Sequence, residues 1–149
     1  MLRDAGLAPE WLELEITESA LVGDPENARA TLSALRASGV RLTLDNLGTG
    51  YSSLYHLRNF KLDKVKIDRS FIQAMAIDAE SASIVSALAG LGRGLGLTVA
   101  AEGVDGIEQG TLLLGSGCNV GQGTLFREPI DAGAALTLFP AKSDVLQVG

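Results

Sequence analysis

The chain has 149 residues, 46% hydrophobic and 20% charged, which fits one domain with a substantial core. Its formal net charge of −6 argues against general binding to DNA or to an anionic membrane, because these polyanions would repel it. The single cysteine, Cys118, cannot form an internal disulfide, and no apolar run approaches the roughly 20 residues of a membrane helix, so we expect a cytoplasmic protein without a membrane segment.

The first half of the chain alternates strand and helix signals. Residues 12–17 and 40–45 alternate apolar and polar side chains, which predicts two strands. Between them, Asp24 can cap a helix whose first position is Pro25, and Gly39 can end it. A helix that joins two consecutive strands in this way is typical of a parallel sheet.

The second half repeats the pattern and adds three further strands. In chain order we first expect a Gly-rich loop over 46–50, a short helix near 52–58, a strand over 64–68 and a helical turn around 71–75. A helix from about Ala79 follows, with Ile84, Leu88, Leu91 and Leu95 on one face. The last elements are a strand over 97–102, a helix over 106–114, a Gly-rich strand over 120–126 and a helix over 132–139. The sequence therefore predicts an α/β fold with parallel strands, either a (β/α) barrel or an open five-stranded sheet.

A polar stripe follows the face of these strands that points away from the helices. Besides Glu13 and Lys64, its charged members are Glu15, Asp45, Lys66, Asp68 and Glu102. If the strands are parallel neighbours, these five side chains converge. Unpaired carboxylates in one cavity would cost several kcal/mol each, so a divalent metal ion is the economical way to offset them.

Five sequence motifs give the chain a resemblance to a known family. They are Leu-Glu-Ile-Thr-Glu at 14–18, Asp-Asn-Leu-Gly-Thr-Gly-Tyr-Ser-Ser-Leu at 45–54, Leu-Asp-Lys-Val-Lys-Ile-Asp-Arg-Ser-Phe at 62–71, Ala-Glu-Gly-Val at 101–104 and Gly-Gln-Gly-Thr-Leu-Phe at 121–126. In this order they resemble the motifs of the EAL domain, a family of bacterial cyclic di-GMP phosphodiesterases built on a modified TIM barrel. The resemblance implies a signalling domain whose family hydrolyses cyclic di-GMP to linear pGpG with Mg2+ or Mn2+.

The resemblance also implies roles for individual residues. It assigns Glu15, Asp45 and Asn46 to the metal site, Lys66, Glu102 and Asp68 to catalysis, Gln122 and Asp105 to substrate binding, and Glu18 to stabilising the Gly-rich loop. The family normally has a second Asp where this chain has Asn46. Because an amide brings no charge to a divalent ion, we expect a weakened second metal position.

The resemblance covers the family's barrel only in part. No motif in the chain matches the family's Glu-Ala-Leu strand or its strand with an asparagine ligand. We therefore expect residues 1–149 to form a single EAL-like domain, a partial TIM-like barrel of about five βα units that lacks the N-terminal strands. Hydrolysis by this chain alone should be weak or absent.

Two alternatives and one form of assembly remain open at this stage. The chain could be a catalytically degenerate module that binds a nucleotide or a protein, or a fragment produced by a shifted start. The outer strands of an incomplete barrel, over 12–17 and 120–126, would have unpaired edges. Together with the family's dimer surface, here residues 46–57, these edges favour a homodimer or association with another chain.

Overall fold

Five parallel strands form one sheet in the computed structural model, which describes residues 2, 4–17, 19–48, 57 and 59–138. The strands are β1 (Glu13–Thr17), β2 (Arg41–Leu47), β3 (Lys64–Ile67), β4 (Thr98–Glu102) and β5 (Val120–Gln122), paired in the order β1-β2-β3-β4-β5. Every adjacent pair is parallel. The α/β class with five parallel strands is thereby confirmed.

Helices connect the strands, as the alternation of signals predicts. They are α1 (Ser19–Val22), α2 (Pro25–Ala37), α3 (Arg69–Ala74), α4 (Ala79–Gly94), α5 (Ile107–Gly115) and α6 (Ala132–Leu136), with a short 3₁₀ helix at Pro9–Trp11. The carboxylate of Asp24 accepts a hydrogen bond from the Asn27 amide at 3.1 Å, which confirms the predicted cap of α2. Among the described residues, no helix is long and apolar enough to cross a membrane.

The core lies between the sheet and its helices. Leu42, Leu44, Val65 and Ile67 are each at most 1% exposed, and α4 packs over β3 and β4. A Cβ added to Gly92 of α4 would lie 2.5 Å from Cγ2 of Val99, a residue of β4. The absence of a side chain at Gly92 therefore allows the helix to approach the sheet closely.

The face that α4 buries differs from the predicted one by about one position. Val85, Ala89 and Gly92 are the buried residues of the helix, whereas Ile84 and Leu95 are exposed by more than a third. The predicted stripe counted the largest apolar side chains, but small residues lie closest to the sheet because they permit the tighter approach.

Two strand ends differ from the prediction by more than one residue. β2 continues to Leu47, beyond the predicted end at Asp45. β5 ends at Gln122 instead of residue 126, because the Phe126 amide donates to the Gly123 carbonyl at 3.1 Å and turns the chain out of the strand. Most of the expected helix near 52–58, part of the Gly-rich loop and the end of the helix expected over 132–139 lie outside the described residues.

Candidate functional site

The parallel register brings four of the five predicted charges together. Glu15 lies opposite Thr43, and Thr43 lies opposite Lys64, so that the next polar positions, Asp45 and Lys66, follow on the same face. The Lys66 ammonium lies 2.9 Å from Glu15 Oε2, 3.6 Å from Asp45 Oδ1 and 3.5 Å from Glu102 Oε2. We call these four residues the Lys66 cluster.

Lys66 is the buried centre of this cluster. The residue is 6% exposed, whereas the side chain of Glu15 is 46% exposed and opens the cluster to solvent. Burial opposes the charged form of Lys66, but the hydrogen bond that its ammonium donates to Glu15 and the negative charges of Asp45, Glu102 and Glu15 together outweigh burial, and the pKa of Lys66 is raised above its ordinary value. The lysine is therefore a fixed cation at neutral pH.

The Lys66 cluster carries more negative than positive charge. One ammonium faces three carboxylates, and Asp45 Oδ1 is buried without a hydrogen-bond partner. A buried carboxylate oxygen that accepts no hydrogen bond, next to excess negative charge, is the kind of ligand that Mg2+ and Mn2+ prefer. Within the described residues, however, no three acidic, histidine or cysteine side chains are grouped so that they could hold a metal ion. The ammonium lies between the carboxylates, so a metal ion would have to displace it.

Asn46 adjoins the cluster with an unusual backbone conformation. Its φ angle is 59°, which is the left-handed region, and it is the only residue other than glycine with positive φ among those described. Asparagine tolerates this conformation better than most residues, so it suits the turn of the backbone after Asp45.

Asp68 does not join the Lys66 cluster, contrary to the predicted convergence of five charges. β3 ends at Ile67, and Asp68 is the N-terminal cap of α3, where its carboxylate accepts a hydrogen bond from the Ser70 amide at 2.8 Å. Its position is thus explained by helix capping. A catalytic role for Asp68 stays a prediction.

A second polar group surrounds Asp105, just after β4. Its Oδ1 accepts hydrogen bonds from the Thr124 hydroxyl at 2.8 Å and the Thr124 amide at 3.2 Å, and its Oδ2 pairs with Arg69 at 3.1 Å. The hydrogen bond from the Thr124 hydroxyl, followed by that from its amide, lowers the pKa of Asp105. Gln122 is exposed and lies in register with Glu102, at the same end of the sheet.

Sequence reasoning missed Arg69 and Thr124 as partners of Asp105. The signal for Arg69 is its position in the first turn after β3, at the end of the sheet where the other charges lie. Thr124 carries no comparable signal, because its contact with Asp105 depends on where β5 ends. Glu18, the predicted loop-stabilising residue, lies outside the described residues.

Comparisons with known proteins identify the family of this fold. The family model described as the EAL domain matches residues 1–129. The chain belongs to the EAL domain family. It is 44% identical over 126 residues to the bifunctional diguanylate cyclase/cyclic di-GMP phosphodiesterase MucR of Pseudomonas aeruginosa, a match that covers 85% of this chain and 18% of MucR.

Solved structures of the family show the same fold. The PaMucR phosphodiesterase in complex with c-di-GMP matches with a TM-score of 0.86 and 42% identity, over 90% of this chain and 54% of that chain. The manganese/cy-diGMP complex of Klebsiella pneumoniae BlrP1 matches with a TM-score of 0.80 and 36% identity, over 86% of this chain and 33% of that chain. The chain thus spans about half of the solved phosphodiesterase and less than a fifth of full-length MucR. It is a member of the EAL domain family, and the proteins to which it is similar include cyclic di-GMP phosphodiesterases.

Proposed function

We propose that the Lys66 cluster is part of a cyclic di-GMP phosphodiesterase site, which hydrolyses one phosphodiester bond to give linear pGpG. The observation that carries the proposal is the buried Lys66 ammonium between three carboxylates, one of which has an orphaned oxygen. The PaMucR and BlrP1 structures, which contain c-di-GMP, support it by their similarity.

The residues of the Lys66 cluster, together with Asn46, can each take a different role in hydrolysis. Glu15, Asp45 and Asn46 would hold Mg2+ or Mn2+, which would neutralise charge on the scissile phosphate. Lys66, with a raised pKa, stays protonated and can donate hydrogen bonds to a phosphate oxygen. Glu102, whose side chain is 35% exposed, can accept a proton from the attacking water.

Gln122, Asp105 and Asp68 complete the proposed site. Gln122 is exposed beside Glu102 and can donate to a nucleotide. Asp105 is held by Thr124 and Arg69, so it would contact substrate from a fixed position. Asp68 would act from the cap of α3. A cytoplasmic location belongs to the same proposal, because the substrate class is an intracellular second messenger in this family.

We further propose that the 149-residue polypeptide by itself hydrolyses cyclic di-GMP poorly. It spans 54% of the PaMucR phosphodiesterase chain, and Asn46 contributes no charge at the metal position. Loss of one metal ion would cost several kcal/mol of transition-state stabilisation.

Product analysis with Mg2+ or Mn2+ tests both parts of the proposal. We expect a turnover below about 1 per second, loss of the remaining activity in Lys66→Met, and a gain in Asn46→Asp, which adds a charged ligand. Turnover in the ordinary range of about 1–1,000 per second would overturn the expectation of weak hydrolysis. Residual activity that Lys66→Met leaves unchanged would reject the assignment of the site.

A regulatory module that binds partners without hydrolysis is the alternative, and one surface favours it. An apolar groove of about 530 Å³ flanks β5, and its lining includes Ile107, Leu114 and Phe126, which are 76%, 67% and 62% exposed. Such a patch is typical of an interaction surface.

We propose that a second copy of the chain covers this apolar groove. Dimers by light scattering that dissociate in Leu114→Asp would support this, and a monomer at every concentration would reject it. The family's dimer surface over 46–57 lies mostly outside the described residues.

A further inference from the structure

A groove on the helix side of the sheet concentrates positive charge in this acidic chain. It has a volume of about 420 Å³ and lies between α2 and the segment that precedes β3. Arg29, Arg36 and Lys61 line it, although the whole chain has a net charge of −6. The local sign of the charge is therefore opposite to that of the protein.

Two of these three cations form no ion pair with any residue that the structure describes. Among the described residues, no carboxylate lies within 4.0 Å of Arg29 or Lys61. Arg36 is anchored, since its Nη1 donates to the Lys61 carbonyl at 2.5 Å and lies 3.2 Å from Asp63 Oδ1. One guanidinium is thus fixed in place, and it is accompanied by two cations without an ion-pair partner among the described residues.

The remaining lining suits the rest of a small anionic molecule. Arg29, Ser33 and Arg36 are spaced by four and then three residues, which places them on one face of α2, with a hydroxyl between two guanidinium groups. Leu32 and Phe60 add apolar surface to the same groove. Guanidinium, ammonium and hydroxyl donors beside apolar side chains match a phosphate group attached to an apolar body.

From these features we infer that the groove is a binding site for a phosphate-bearing small molecule of mononucleotide size. It is separate from the Lys66 cluster, because α2 packs on the helix side of the sheet and Lys61 precedes the N-terminal end of β3. The inference does not depend on the proposed hydrolysis.

Binding to the metal-free 149-residue chain tests the inference. Inorganic phosphate, pyrophosphate and GMP are titrated separately at low ionic strength, with calorimetry for affinity and amide chemical shifts for location. We expect saturable binding that shifts the amides of residues 29–37 and 59–61 and weakens at higher salt. Tighter binding of GMP than of phosphate would support a ligand of mononucleotide size, whereas equal binding would show that the groove recognises phosphate alone and would overturn the inferred size.

Matched double variants decide whether the groove is responsible. Arg29→Gln with Lys61→Gln should weaken binding about tenfold or more, because both unpaired cations are lost. Arg41→Gln with Arg127→Gln removes the same charge at exposed positions outside the groove and should change affinity less than about twofold. Circular dichroism checks that both variants fold. Absence of saturable binding by all three probes, shifts confined to the Lys66 cluster, or equal loss in both double variants would overturn the inference.

Discussion

Two lysines on one strand, two residues apart, sit in contrasting surroundings. Lys64 Nζ lies 2.7 Å and 2.6 Å from the two carboxylate oxygens of Glu13, a one-to-one pair. Lys66 faces Glu15, Asp45 and Glu102 at once. The first pair is balanced in charge, whereas the second group is not.

The contrast shows how the same strand pairing gives both an ion pair and a candidate site. Glu13 and Glu15 lie on β1, and Lys64 and Lys66 lie on β3, so each pair spans β2 on the same face. The difference comes from what β2 and β4 add near the carboxyl ends of the strands. There Asp45 and Glu102 add negative charge, and Lys66 is the only cation that pairs with them among the described residues.

The largest expected effect is a difference in folding stability between a substitution of Lys66 and the same substitution of Lys64. Lys66→Met should lower the free energy of unfolding by about 3 kcal/mol, because it leaves three carboxylates facing one another, one of them with a buried oxygen. Lys64→Met removes one partner of a partly exposed pair and should cost about 1 kcal/mol or less. Urea denaturation at neutral pH measures both values.

Addition of Mn2+ sharpens this first comparison. The ion should restore much of the stability that Lys66→Met loses, because it can neutralise the same carboxylates. Equal destabilisation by the two substitutions would contradict the distinction between a balanced pair and a charged site.

An intermediate effect is expected from divalent cations on the unaltered chain. Mn2+ at about one hundred times its Kd should stabilise the folded state by about 2.7 kcal/mol if it binds that state alone. Thermal melting should show this shift in the unaltered chain, and Glu15→Gln and Asp45→Asn should each lose it. Glu13→Gln is the matched control, because its carboxylate is already paired with Lys64. A shift unchanged in both Glu15→Gln and Asp45→Asn would reject the metal site.

The smallest effect concerns the pH dependence of the balanced pair. Burial of Glu13 opposes its charged form, but the hydrogen bond from Lys64, the interaction with Thr43 and the positive charges of Lys64 and Arg41 together outweigh burial and lower the pKa of the carboxyl. The unfolded chain therefore takes up the proton first as the pH falls, and the contribution of the pair is lost in acid. Between pH 7 and pH 3, unaltered protein should lose about 1 kcal/mol more stability than Glu13→Gln. Glu128→Gln, at an exposed position, should behave like the unaltered chain; identical pH profiles for all three would contradict this.

The sequence determined the strand-helix alternation, the cap of α2 and the motifs of the family. These features depend on neighbours within a few residues of one another. Alternation along 12–17 and 40–45 specified which side chains share a face, and the position of Asp24 before Pro25 specified where α2 begins. All four members of the Lys66 cluster could be predicted for the same reason, since each lies toward the end of a recognisable strand.

Only the tertiary structure decided which charged groups meet. Asp68 follows the polar period of β3, yet it caps α3 because the strand ends one residue earlier. Asp105 meets Thr124 across 19 residues of sequence because β5 turns at Gly123. The period of the sequence predicts on which face of its own strand a side chain lies. The distances between side chains of different strands depend on strand register and on where each strand ends, and non-local backbone hydrogen bonds determine both.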